Sequence, residues 1–207
     1  MRFISTAALI LVTAVALSAQ APAGWKQRLD RSTSASDPDG AGAVKFVTMG
    51  NGFHATNPTA AVYWNSANTA TGNYTVKGSF KLIKPSGHVN YYGLVFGGSS
   101  LEGATQSYLY FMVAQNGSWL LKRRDGDANA PTVARGDNAA IAKPGADGTS
   151  VNNLEVRVKA DAIDYVVNGT VVHTTPKSGD TAKTDGIAGI RVNHLLEVHV
   201  DGFAVSK

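Results

Sequence analysis

The 207-residue sequence has no cysteine. That excludes a disulfide framework, a thiol nucleophile, a thiolate metal site and the lipid-modified start of a bacterial lipoprotein. The fold must therefore be held by burial of apolar surface. Charge is also scarce: 16% of residues are Asp, Glu, Lys or Arg, and the net charge is +4 with a pI near 9.3. Such a mild excess concerns solubility and diffuse attraction of anions rather than a dedicated polyanion site. The longest basic run is Lys122-Arg123-Arg124, too short for a nucleic-acid-binding arm. Outside the first two dozen residues no apolar stretch approaches the ~20 residues that cross a bilayer. No 3.6-residue apolar period is sustained there either, so long helices are not expected.

The start of the chain has its own logic. Arg2 supplies a positive charge, Ala7 to Leu17 an apolar middle, and Ser18, Ala19 and Ala21 the small residues of a cleavage region. This is the pattern of a secretory signal peptide over 1–23, and it predicts a secreted or periplasmic protein whose single domain spans 24–207.

The remainder alternates. In Tyr74 to Ile83, Tyr74, Val76, Phe80 and Leu82 share one face, while Thr75, Lys77, Ser79 and Lys81 share the other. A period of two means a strand with one face in a core and one in water. Leu154, Val156 and Val158 repeat the pattern against Glu155, Arg157 and Lys159. Asn168-Gly169 marks a hairpin with a two-residue turn, in which Asp164 falls opposite His173. In the last strand the apolar parity changes from Leu196, Val198, Val200 to Phe203, Val205, which predicts a bulge at Gly202. Ser32 to Gly42 and Asp125 to Ser150 read as loops. Some twelve strands between Gly, Asn and Asp turns define an all-β chain, and the longer, evenly alternating ones favour a two-sheet antiparallel jelly-roll sandwich over a propeller, since no blade-length repeat appears.

The most informative stretch is Tyr108 to Arg124, two strands folded at Asn116-Gly117. A two-residue turn would group Leu109, Phe111 and Val113 with Leu120, Lys122 and Arg124. A three-residue turn, with Gly117 as the left-handed residue, groups them instead with Trp119 and Leu121. The second sorts the large apolar side chains onto one face, and burial of one face fixes register. It predicts a core-facing Trp119 and an opposite face bearing Tyr108, Tyr110, Met112, Lys122 and Arg124.

YYGLVF, YLYFMVAQNGSWLLKR, NNLEVRVKADAIDYVVNGTVV, DGIAGIRV and VHVDGFAV follow one another in the order of a known superfamily. Over about Tyr74 to Val205 the chain resembles the concanavalin A-like lectin/glucanase superfamily. The closer resemblance is to laminin-G-like and 3-keto-disaccharide hydrolase-type (glycoside hydrolase family 16-like) domains of secreted bacterial proteins. The resemblance implies a two-sheet jelly roll, often with carbohydrate on one sheet. One superfold hosts many functions, so activity must come from the site.

The candidate sites are four. Glu197-Val198-His199-Val200-Asp201 resembles the E-x-D-x-E strand of glucanases, yet His199 replaces the middle acid and Asp201 is the shorter last one, against the paired carboxyls that retaining hydrolysis needs. His194 and His199 with Glu197 and Asp201 match no recognised metal spacing. Asp125, Asp127 and Asn129 match the first half of a calcium loop without its Gly and terminal Glu. Finally, Trp64, Tyr91, Tyr108 and Tyr110 beside Lys122 and Arg124 make a candidate sugar platform, with rings for the C–H faces and cations for the hydroxyls. The reading is a carbohydrate-binding, lectin-like module without catalysis, needing no cofactor, its partner a carbohydrate or similar polar polymer. The alternatives are a 3-keto-disaccharide hydrolase-type enzyme and a cell-envelope adhesion module.

Overall fold

The computed structural model describes residues 22–207, so most of the expected signal peptide over 1–23 lies outside the described residues. In chain order the strands are β1 (Trp25–Asp30), β2 (Lys45–Met49), β3 (Gly52–Asn57), β4 (Ala60–Ala70), β5 (Tyr74–Lys84), β6 (Tyr91–Ser99) and β7 (Ser107–Ala114). They continue with β8 (Ser118–Asp125), β9 (Thr132–Asp137), β10 (Ser150–Val158), β11 (Ala162–Val167), β12 (Thr170–Pro176), β13 (Gly186–Val192) and β14 (Leu196–Ser206). Two antiparallel seven-stranded sheets result, ordered β1-β4-β13-β6-β7-β8-β9 and β12-β11-β10-β5-β14-β3-β2. Among the described residues no helix is long and apolar enough to cross a membrane.

The inward sets predicted by alternation form the core between the sheets. Val76, Phe80 and Leu82 of β5 meet Tyr92, Leu94 and Phe96 of β6, Leu109 and Phe111 of β7, and Val198 and Val200 of β14. Each such side chain, fully buried, contributes roughly 1.5–3 kcal/mol. Two tyrosine hydroxyls drawn into this interior are paired with asparagines. Tyr63 Oη donates to Asn57 Oδ1 at 2.7 Å, and Asn152 Nδ2 donates to Tyr92 Oη at 3.2 Å.

The β7–β8 hairpin takes the three-residue turn. Val113 faces Trp119, Phe111 faces Leu121, and Gly117 has φ +90°. Gly202 (φ +59°) sits where the β14 register slips between Asp201 and Ala204, which is the expected bulge. Two expectations are corrected and one open alternative is decided. The stretch Asp125 to Ser150, expected to be a loop, contains an edge strand, β9. Trp25 to Asp30, which from sequence could be a first strand or a late-docking tail, is a strand paired to β4, and with β9 it brings the count to fourteen strands rather than some twelve. In the β11–β12 hairpin a register shift beyond Val166 places His173 opposite Tyr165 and Thr174 opposite Asp164. One extra residue on β12 therefore separates the expected Asp164–His173 pair.

Candidate functional site

The first sheet has a second face, turned away from the core, and cross-strand pairing defines its rows. One row runs Arg28, Val62, Arg191, Gly93, Met112, Leu120, Arg135 across six strand pairs. Its neighbour runs Lys26, Trp64, Gly189, Val95, Tyr110, Lys122, Thr132. Cations and apolar groups thus share one face. Gly93 has no side chain to obstruct Arg191, whose guanidinium carbon lies 5.0 Å from the Tyr110 ring centroid, a cation–π contact.

This face departs from the expected platform in one respect. Trp64, Tyr108 and Tyr110 are each 2% exposed and pack with Val62, Val95, Leu101 and Met112 into a second apolar cluster. Leu101, from the β6–β7 loop, packs into this cluster. The rings support the surface from below rather than forming it. Tyr91 is half-buried, with its hydroxyl 3.1 Å from Ser118 Oγ. Burial of Tyr110 pushes its hydroxyl pKa up.

Charge is concentrated at Asp30. Its Oδ2 accepts from Arg191 Nη2 at 2.5 Å and from Arg124 Nη2, while Arg191 Nη1 donates to Tyr108 Oη at 3.0 Å. Both arginines are buried, at 7% (Arg124) and 6% (Arg191) exposure. Burial pushes the Asp30 carboxyl up, and the two guanidiniums outweigh it, leaving the pKa below its ordinary value. Half-buried Lys122 feels the same field. Burial lowers its pKa, and repulsion from Arg191 and Arg124 lowers it further.

Beside Asp30 opens a cleft of about 530 Å³. The β1–β2 loop (Arg31, Ser32, Asp37), the β8–β9 loop (Asp127) and the end of β13 (Asn193, His194) wall it. At its far end Asp37 Oδ1 lies 3.0 Å from His88 Nε2 and 3.2 Å from His194 Nε2. Sequence reasoning considered His194 with the wrong partners and missed Asp30, Asp37, His88 and Arg191. Asp37 and Asp39 fall in the stretch Ser32 to Gly42, which composition marks only as a loop.

The other candidates fall elsewhere. Glu197, His199 and Asp201 point outward from the second sheet, on the opposite side of the sandwich. Glu197 Oε1 pairs with His54 Nε2 at 3.0 Å and Asp201 Oδ2 with His199 Nε2 at 3.2 Å, so each carboxylate faces an imidazole rather than its fellow. A hollow on that side, over Gly78, Leu154 and Gly202, is lined by no arginine or histidine. In the stretch that matches half of a calcium loop, Asp125 N donates to Asn129 O at 2.9 Å, closing a hairpin. Asp127 Oδ1 receives Arg28 at 2.5 Å and Gln106 at 2.8 Å. The cation at that carboxylate is the chain's own.

No family model matches the chain, and no curated protein matches its sequence. Solved structures do resemble it. The carbohydrate binding module CBM66 from Bacillus subtilis superposes with a TM-score of 0.61 at 10% identity, covering 89% of this chain and 96% of that one. The Emp46p carbohydrate recognition domain gives 0.57 at 13% identity, covering 88% of each chain. Alginate lyase A1-II', of polysaccharide lyase family 7, gives 0.54 at 15% identity, covering 89% of this chain and 94% of the other. What is shared at these identities is the fold. The chain is a concanavalin A-like jelly-roll sandwich.

Proposed function

We propose that this is an exported carbohydrate-binding module that holds its ligand, without catalysis, in the cleft beside Asp30. The observation that carries the reading is the sharing of one carboxylate by two guanidiniums, Arg124 and Arg191. Across the cleft lining three arginines balance three aspartates, but around Asp30 two guanidiniums meet one carboxylate, and this local excess, with Arg31 on the wall and Lys122 nearby, favours a saccharide bearing carboxylate or sulfate groups through charge-assisted bonds. The likeness to CBM66 and to the Emp46p carbohydrate recognition domain supports the class of ligand. A glycosidase acid must hold its proton near neutrality, which takes a raised pKa. Asp30 has a lowered one, and Asp127 is bound to Arg28. Asp30 is therefore suited to orienting arginines, not to donating a proton.

Calorimetric titration with uronic-acid oligosaccharides and with neutral ones of equal length tests this. Acidic ligands should bind more tightly, and binding should weaken as salt rises, because exposed charges are screened within ~8–10 Å. Arg31→Ala should weaken binding about tenfold, the worth of one hydrogen bond to a charged group, with an unchanged Tm. Equal affinity for neutral and acidic sugars, or no binding at all, would count against the reading. Glu197→Gln, on the far sheet, should leave sugar binding nearly intact. If that variant instead abolished cleavage of a glycan that the wild type hydrolyses, a glycoside-processing enzyme would replace the binding module.

A further inference from the structure

Three connections that carry the chain between the sheets meet at one end of the sandwich. The β1–β2 loop brings Asp37, the β5–β6 loop brings His88, and the β13–β14 turn brings His194. Asp37 Oδ1 lies 3.0 Å from His88 Nε2 and 3.2 Å from His194 Nε2, and the two Nε2 atoms are 3.3 Å apart. This is a nearly equilateral triangle of donor atoms. Around a tetrahedral ion with ligand bonds of ~2.0 Å, neighbouring donors sit about 3.3 Å apart. The triangle therefore has the size of one face of such a site.

Hydrogen bonding alone leaves one side of the triangle unfavourable. With both Nε2 atoms protonated, two N–H groups oppose each other. With only one protonated, the bare nitrogen faces the carboxylate lone pairs. A cation at the centre is favourable to all three donors at once. The surroundings are also built for it. His194 is 6% exposed, and its Nδ1 lies 3.3 Å from Asp39 Oδ1. An Nδ1–H turned to that carboxylate fixes the tautomer with a bare Nε2, the arrangement that supports imidazole ligands. Ser32 holds both acids in place: its Oγ donates to the Asp37 carbonyl at 2.6 Å and its backbone N–H to Asp39 Oδ2 at 3.2 Å. Asn90 Nδ2 donates to the His194 carbonyl at 3.0 Å and lies 3.0 Å from His88 Nε2, where it competes for that lone pair.

We propose that Asp37, His88 and His194 bind one divalent transition-metal ion of the zinc class. Two imidazoles and one carboxylate suit a borderline ion, whereas calcium takes six to eight oxygens. Asp37 and His194 also line the cleft, so the remaining coordination position faces it and is open to a water or a sugar hydroxyl. In a chain without cysteine, the ion is the cross-link that ties together three loops distant in sequence.

The test is calorimetric titration of the chelator-stripped protein with zinc sulfate and, separately, calcium chloride, with no saccharide present. One zinc per chain should bind saturably and raise the Tm in proportion to zinc occupancy, and calcium should not. Loss of an outer partner of a metal ligand costs 10–100-fold in affinity, so His88→Ala should weaken zinc binding by at least about 100-fold. His88 is exposed, so that variant keeps its fold. His199→Ala should change nothing, since its ring lies beside His54 on the far sheet at 6.1 Å between centroids. Cobalt-loaded protein should show the visible bands of four-coordinate cobalt(II), lost in Asp37→Asn. Absence of zinc binding by the wild type, equal binding by His88→Ala, or loss of binding in His199→Ala would overturn the proposal. Because no sugar enters the assay, failure here leaves the carbohydrate reading to its own test.

Discussion

Asp30→Asn should lower the stability of the protein by about 3 kcal/mol at pH 7. Removing one partner of a buried ion pair costs roughly 3–5 kcal/mol because the opposite charge is left uncompensated. Here Arg124 and Arg191 would both lose their carboxylate, and their side chains are 8% and 7% exposed. Asp30 itself retains 25% exposure, so solvent takes up part of the loss and the lower end of the range applies. The pH dependence has a definite sign. Arg191 and Arg124 outweigh burial and hold the folded-state pKa of Asp30 below the ordinary value. Its stabilisation is therefore complete above the unfolded-state pKa of about 3.9 and disappears as pH falls through the lower folded value. Urea unfolding at pH 7 and at successively lower pH should show the gap between wild type and Asp30→Asn narrowing below about pH 4. A gap under about 1 kcal/mol at pH 7 would mean that the two arginines find other partners and that Asp30 does not organise the cleft.

Trp119→Ala should cost about 3–5 kcal/mol, the range for deleting a buried aromatic side chain. The indole is 5% exposed and stacks on His173 with ring centroids 4.7 Å apart. Opposite it in β9 stands Gly136, where a Cβ would come within 3.0 Å of the indole; the ring lies against bare backbone. Deleting it leaves a hole that neither strand can close without breaking the ladder. A second readout is independent of stability. Burial lowers the pKa of His173, and removing the ring above it should let that pKa rise, measured by NMR titration. A loss below about 1 kcal/mol with His173 unchanged would show that Trp119 is not part of the core.

Much of this architecture was legible because a strand writes its two faces into the sequence with a period of two. The three-residue turn at Gln115-Asn116-Gly117 followed from asking which register buries Trp119 and Leu121 with Phe111. The bulge at Gly202 followed from a change of apolar parity along one strand. These are local signals. Alternation says that Tyr108 and Tyr110 share a face, but not what lies on it, and their burial with Leu101 depends on packing between separate segments. Nor does it reveal an extra residue such as the one in β12, which moved His173 away from Asp164.

The cleft lay beyond local reading altogether. Asp30 meets Arg191 across 161 positions of sequence, and His88 meets His194 across 106. Neither pairing has a spacing that any motif could flag, because the partners come from loops and strand ends that only the crossing of the chain between sheets brings together. Sequence periodicity determined that this chain is a two-faced β-sandwich. Tertiary structure decided which polar residues converge, since side-chain chemistry is encoded residue by residue while proximity is set by the topology of the whole fold.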